Sequence, residues 1–193
     1  MTLTAFSGRR PSQDEFELRS FIQFMAERGV QSYCEIGARE GDTFHEIITT
    51  LPTIRRGLAV DLPGALWGKL TTGRALVHAC EDLRTRGFHV KHMFGDSTDM
   101  NVQVAIAQDG PFDALLIDGD HTYEGVKADW ENYGHLAKLV AFHDIVGHDQ
   151  SERVTGRRVE VPRLWAEIKA AGAETVEFVA PESSMGIGVA ILS

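Results

Sequence analysis

Two cysteines, Cys34 and Cys80, are all that the 193 residues contain. No disulfide framework can be built from them, and each sits in an apolar pattern that makes it a small core residue, which fits a reducing compartment. Long apolar runs are missing as well. Nothing approaches the ~18 residues of a membrane span. The N-terminal Met1 to Arg10 has no apolar stretch ahead of its charges, so no signal peptide is expected. A cytoplasmic chain without a membrane partner is the expectation. Positive charge is the third shortage: 19 Lys and Arg face 28 Asp and Glu, a formal net charge of -9. Such a surface repels a phosphate backbone. Arg9–Arg10, Arg55–Arg56 and Arg157–Arg158 are only pairs, which read as solvated surface, and no nucleic-acid partner is expected.

What is present is ordinary globular composition. Hydrophobic residues make up 43% and charged residues 24%, values that leave disorder, collagen and coiled coil as poor readings. One domain is the default at this length. Short apolar runs alternate with helix-period segments, the signature of an α/β fold. Ser12 and Glu15 have the spacing of a capping box, followed by Leu18, Phe21, Ile22 and Met25 at helical spacing up to Gly29. Strands are expected at 33–36, 57–61, 88–94, 112–117 and 139–142. Helices are expected from about Asp42, around Leu76–Leu83, from Thr122, and from Pro162 to about Gly172. Residues 146–160 read as a polar loop. Two last runs, 176–179 and 187–192, are separated by a span that suits an antiparallel hairpin better than another crossover helix.

The first strand runs into Glu35-Ile36-Gly37-Ala38-Arg39-Glu40-Gly41. A glycine there lets the backbone turn sharply and approach a ligand, and the next helix offers free N–H groups. The spacing is Gly-x-x-x-Gly, not the G-x-G-x-x-G of dehydrogenases, and such glycines also serve merely to tighten a turn. Asp61 ends the second strand, 24 residues after Gly37, an offset at which an acid meets ribose hydroxyls in nucleotide-binding folds. Asp96-Ser97 follows the third strand. Together these residues mark one carboxyl rim of an open sheet, where ligands bind.

With these residues the chain resembles the class I S-adenosylmethionine-dependent methyltransferases, from about Tyr33 to Leu192. The resemblance implies a single-domain Rossmann-like fold: a mostly parallel seven-stranded sheet, a C-terminal antiparallel hairpin and helices on both faces. It divides the chain into an N-terminal helical segment, 1–30, and a cofactor-binding domain, 31–193. It implies that Glu35, Gly37, Ala38 and Gly41 surround the methionine moiety and that Thr43 contacts its carboxylate. Asp61, with Leu62 beside it, matches the ribose-binding position, Asp96 and Ser97 the adenine side, and Asp118 also borders the cofactor.

A second constellation lies at the next two strand ends. Asp118-Gly119-Asp120-His121-Thr122-Tyr123 closes the fourth strand and Phe142-His143-Asp144 the fifth. If those strands are parallel neighbours, Asp118 lies close to His143 and Asp144. Carboxylates with an imidazole suit a divalent ion. The same acids also suit backbone N–H groups at helix starts, with Asp120 as a helix cap. Asp118 to Glu124, Asp129, Phe142-His143-Asp144, Val161-Pro162-Arg163-Leu164-Trp165 and Met185-Gly186-Ile187-Gly188 resemble small bacterial O-methyltransferases related to those of macrolide sugars and aminocoumarins. Members of that group use Mg²⁺, and the resemblance implies metal ligands at Asp118, Asp144 and His143. An acid is common at the His143 position, so imidazole shifts the expectation towards Mn²⁺ or no metal.

The expected activity is transfer of a methyl group from S-adenosylmethionine to a small-molecule acceptor, a sugar or natural-product hydroxyl. Asp118, Asp120 and His121 are the candidate catalytic residues, Asp120 or His121 being the base. His45, His78, His89, His92, His135 and His148 share no metal spacing. Tyr123, Trp130, Tyr133 and Trp165 read as packing. A lid has to come from residues 1–28, from 146–160, or from another subunit of a homo-oligomer. Two other functions remain open: a nicotinamide-dependent oxidoreductase, disfavoured by the missing G-x-G-x-x-G and the terminal hairpin, and a cofactor-binding protein without turnover.

Overall fold

A computed structural model of the chain describes residues 12–65, 71–147, 156 and 158–192. Arg9–Arg10, Arg157, His148 and most of the loop expected at 146–160 lie outside the described residues.

Helix α1, Glu15–Glu27, turns Leu18, Phe21, Ile22 and Met25 onto one buried face. The capping box expected from Ser12 and Glu15 does not form. Asp14 is the N-cap, its Oδ1 accepting from the N–H groups of Phe16 at 2.8 Å and Glu17 at 3.3 Å. A carboxylate directly before the first turn is the better acceptor for orphan N–H groups, and Glu15 is turned away to Arg19 Nε at 3.0 Å.

Strand β1, Ser32–Ile36, leads through the glycine turn into α2, Asp42–Thr50. Then follow β2, Arg56–Asp61; α3, Thr72–Thr85; and β3, His89–Phe94. Next come α4, Met100–Asp109; β4, Phe112–Ile117; and α5, Tyr123–Tyr133. A short 3₁₀ turn, Gly134–Leu136, enters β5, Ala137–His143. Helix α6, Val161–Ala170, precedes β6, Glu174–Phe178, and β7, Ile187–Ile191. Helix α4 has no counterpart in the sequence reading. It buries only Ile106, so it lacks the apolar stripe by which a helix is recognised.

The seven strands make one sheet in the order β3-β2-β1-β4-β5-β7-β6. β1 to β5 pair in parallel, while β7 runs antiparallel to β5 and β6. The expected mostly parallel sheet with an antiparallel C-terminal hairpin is therefore what forms. Alternation along each strand feeds two cores. Tyr33, Ala59 and Leu116 pack with α1, α2 and α3 on one face, and Cys34, Leu58, Leu115 and Val140 with α4, α5 and α6 on the other. Both cysteines are free and buried. Tyr123, Tyr133 and Trp165 belong to the second core, with Trp130 partly buried against it.

Chain order reverses between β1 and β4. β1 continues outward through β2 to β3, whereas β4 begins the other half of the sheet. This leaves a crevice beyond the carboxyl ends of β1 and β4, the switch point at which open α/β sheets bind ligands. No described helix is long and apolar enough to cross a membrane.

Candidate active site

The glycine turn after β1 is held against both neighbouring strands. Gly37 N–H donates to Val60 O at 2.8 Å, and Asp118 N–H donates to Ile36 O at 2.9 Å. Gly37 has φ +90°, and a Cβ there would come within 2.1 Å of the Asp118 carbonyl oxygen. Glycine is therefore a packing requirement at 37 as well as a conformational one. Gly41, at φ +82°, starts α2.

A cavity of about 740 Å³ follows the rim from Asp61, Asp96 and Ser97, past Gly37 and Asp118, to Asp120, His121 and Asp144. A second cavity, about 390 Å³, lies on the other side of the turn against Glu35, Ala38 and Thr43. Expected residues of both constellations thus share one rim, but Gly41 lines neither cavity: a Cβ there would meet Leu76 and Ala79 on α3.

At the β2 end, Asp61 Oδ1 accepts from the Arg39 N–H at 3.0 Å. Its other oxygen, Oδ2, is buried with no hydrogen-bond partner. Burial raises the Asp61 pKa, partly offset by the Arg39 N–H. An unpartnered buried carboxylate oxygen lining a cavity is a ready acceptor for ligand hydroxyls. Leu62 beside it is exposed and also faces the cavity. Asp96 is less committed to a ligand. Its Oδ1 accepts from the Thr98 N–H at 2.8 Å and hydroxyl at 2.7 Å, and these bonds lower its pKa.

Beneath the turn, Glu35 accepts from the Tyr33 hydroxyl at 2.6 Å. Burial pushes its pKa up to about 8 although the Tyr33 bond opposes the shift. Thr43 lies at the start of α2 and donates its hydroxyl to Gln13 Oε1, while Gln13 Nε2 donates to Asp118 Oδ2 at 3.0 Å. Gln13 was not among the expected site residues. It precedes a helix cap, carries no motif, and meets its partner across 105 residues of sequence.

At the β4 and β5 ends, Asp118 and Asp144 face two imidazoles. His143 Nδ1 is 3.2 Å from Asp118 Oδ1 and 3.3 Å from Asp144 Oδ1. His121 Nε2 is 3.3 Å from Asp118 Oδ1, and its Nδ1 is 2.8 Å from Asp144 Oδ2. Asp144 takes a left-handed backbone, φ 60°, and is buried. Burial alone would raise Asp118, but His143 and His121 overcome it and hold the carboxyl well below the usual range. Burial alone would lower both imidazoles. The flanking acids instead raise His121 to about 10 and His143 to about 9.

This arrangement bears on two earlier readings. First, a divalent-ion site on Asp118, His143 and Asp144 is not shown. Among the described residues no group of three or more His, Cys, Asp or Glu is arranged to hold a metal ion. Asp118 Oδ1 faces both imidazoles and Oδ2 is taken by Gln13. Second, Asp120 is not the cap of α5. Thr122 is, accepting from the Gly125 N–H at 3.2 Å, while Asp120 Oδ1 accepts from the Thr122 N–H at 3.0 Å.

Asp129 on α5 is buried behind the rim, and neither of its oxygens has a hydrogen-bond partner. Burial pushes its pKa up to about 7; Ser97 beside it opposes the shift without reaching hydrogen-bond geometry.

Residues 34–145, more than half of the chain, from within β1 to just past the end of β5, match the methyltransferase domain family. The chain belongs to that family. Solved structures agree with this fold. An O-methyltransferase of Bacillus cereus in complex with SAH has a TM-score of 0.68 at 17% identity, over 95% of this chain and 84% of that one. TomG of Streptomyces achromogenes, an O-methyltransferase involved in tomaymycin synthesis and solved with SAM, has a TM-score of 0.69 at 13% identity, over 97% and 84%. The SAH-bound methyltransferase PaMTH1 of Podospora anserina has a TM-score of 0.66 at 12% identity, over 94% and 80%. At these identities the likeness is one of fold. No curated protein matches the chain.

Proposed function

We propose that this methyltransferase-family chain binds S-adenosylmethionine along the β1–β4 rim and passes its methyl group to a hydroxyl of a small-molecule acceptor, a sugar or natural product. The observation that carries the reading is a single cavity with a free, buried Asp61 oxygen at one end and the His121–Asp144 pair at the other. Asp61 takes the ribose hydroxyls. Asp96, Ser97 and Leu62 border the adenine. Glu35, Gly37 and Ala38 enclose the methionine portion, Thr43 bonds its carboxylate and Asp118 Oδ2 its ammonium. Cofactor complexes of the B. cereus and S. achromogenes enzymes support the choice of ligand.

The sulfonium is already activated, so the protein's work is alignment and proton removal. The acceptor oxygen attacks the methyl carbon, the C–S bond breaks and S-adenosylhomocysteine leaves. With His121 held as imidazolium, the hydroxyl proton passes to a carboxylate oxygen of the Asp118–His121–Asp144 cluster. Its members touch and therefore titrate as a unit. Asp120 is exposed on the same loop and orients the acceptor.

The test is transfer of labelled methyl from S-adenosylmethionine to panels of hydroxylated and amine acceptors, with and without EDTA. Hydroxyl methylation that survives EDTA, and that falls by about a hundredfold or more in His121→Asn with S-adenosylhomocysteine affinity retained, is expected. Methylation of amines alone, or tighter binding of NADH than of S-adenosylhomocysteine, refutes the reading.

A further inference from the structure

Gln13 is nearly buried, 7% exposed, although it sits outside every helix and strand. Its surroundings fix where it stands. Asp14 next to it caps α1. One turn on, the fully buried Glu17 accepts from the Ala180 and Gly186 N–H groups, both at 3.0 Å. The start of α1 is thereby fastened to the segment between β6 and β7, and the Gln13 side chain reaches the rim at the smaller cavity, which Ser12 also lines. It stands at the smaller cavity, whose walls share Gly37, Arg39 and Asp118 with the larger one.

The two bonds of its carboxamide are specific. The oxygen accepts from the Thr43 hydroxyl, and the nitrogen donates to Asp118 Oδ2 at 3.0 Å. An α-amino acid presents the same pair of functions close together: a carboxylate oxygen to accept and an ammonium to donate. Thr43 and Asp118 are the two groups to which the function proposed above assigns that end of the cofactor, and the present inference rests on that assignment. A threonine hydroxyl has one proton to donate. It cannot bond Gln13 and a cofactor carboxylate together.

We propose that the Gln13 carboxamide is an internal stand-in for the amino-acid end of the cofactor, satisfying Thr43 and Asp118 in the empty protein and leaving them when cofactor binds. The physical reason is the cost of an empty polar subsite. A buried carboxylate and hydroxyl facing no partner are costly, and a side chain that mimics the ligand removes that cost. The same mimicry makes Gln13 a competitor. It weakens cofactor and product binding and hastens release of S-adenosylhomocysteine.

Calorimetric titration separates this role from others, using S-adenosylhomocysteine and 5′-methylthioadenosine, which lacks the amino-acid end. The variants are Gln13→Ala and Gln13→Met, the latter keeping most of the side-chain volume. Both should bind S-adenosylhomocysteine more tightly than wild type, by about five- to tenfold, the worth of a net hydrogen bond no longer broken. Both should bind 5′-methylthioadenosine within about twofold of wild type, since that ligand leaves Gln13 in place. Weaker S-adenosylhomocysteine binding with unchanged 5′-methylthioadenosine binding makes Gln13 a direct cofactor ligand and overturns the proposal. Equal shifts for both ligands, including loss of both, make it scaffold and overturn it too, as does no change at all. A wild-type chain that binds neither ligand removes the cofactor reading and this one with it. Wild-type binding with any overturning pattern in the variants removes this one alone.

Discussion

Asp61→Asn isolates one oxygen. The substitution keeps the shape of the side chain and leaves Oδ1 to accept from the Arg39 N–H, now 3.0 Å away. What changes is Oδ2, buried and without a partner, which becomes an NH₂ group that donates where a ribose hydroxyl also has to donate. A hydrogen bond to a charged acceptor is worth about 1.5–3 kcal/mol. Its loss lowers affinity for S-adenosylhomocysteine by about ten- to a hundredfold. The raised pKa of Asp61 has burial as its main cause, and it sets a sign for pH. Ligand hydroxyls favour the ionised form, so wild-type affinity falls as acidification protonates Asp61, and that component of the pH dependence is absent from the Asn variant. Calorimetry across a pH series measures both effects, with circular dichroism to show that the variant is folded. Unchanged affinity in a folded Asp61→Asn protein takes Asp61 out of the site. Equal acid sensitivity in both proteins refutes the assignment of the titration.

Asp129 gives a stability prediction of opposite character. Its carboxyl moves from 3.8 to about 7 on folding, so ionisation is resisted in the folded state and stability is lost as pH rises between those values, by roughly 4 kcal/mol when complete. Asp129→Asn has nothing to ionise, and its advantage over wild type in urea melts should grow by roughly 2–3 kcal/mol between about pH 5 and pH 8; a pH-independent difference refutes this. Gly37→Ala places a methyl 2.1 Å from the Asp118 carbonyl oxygen at φ +90°. It should destabilise the fold by at least about 3 kcal/mol in thermal melts, and wild-type melting would show that the turn has slack.

The strands were legible because a parallel sheet covered on both faces leaves nearly continuous apolar runs. Phe112–Ile117 and Ala137–His143 are examples, and the structure moves the expected strand ends by only one or two residues. The glycine turn and Asp61 were legible from spacing, since a strand, a turn and a helix together fix how far apart two strand ends fall in sequence. Helix α4 was not legible, for it buries one side chain and has no stripe. The helix cap was misread because Ser12 and Asp14 both precede an apolar run, and only the fold shows which one the first N–H groups meet.

Sequence by itself determined the α/β class, the terminal hairpin, and the gathering of Asp61, Asp118, His121 and Asp144 at one rim. Local periodicity and strand polarity decide these things. Tertiary structure alone decided what those side chains do to one another. Two acids and two imidazoles are drawn close and pair with one another, because each imidazole gains more from its carboxylates than burial removes. It also decided that Gln13, from the far end of the chain, closes on Thr43 and Asp118. No spacing rule reaches across 105 residues; the packing of α1 against the sheet does.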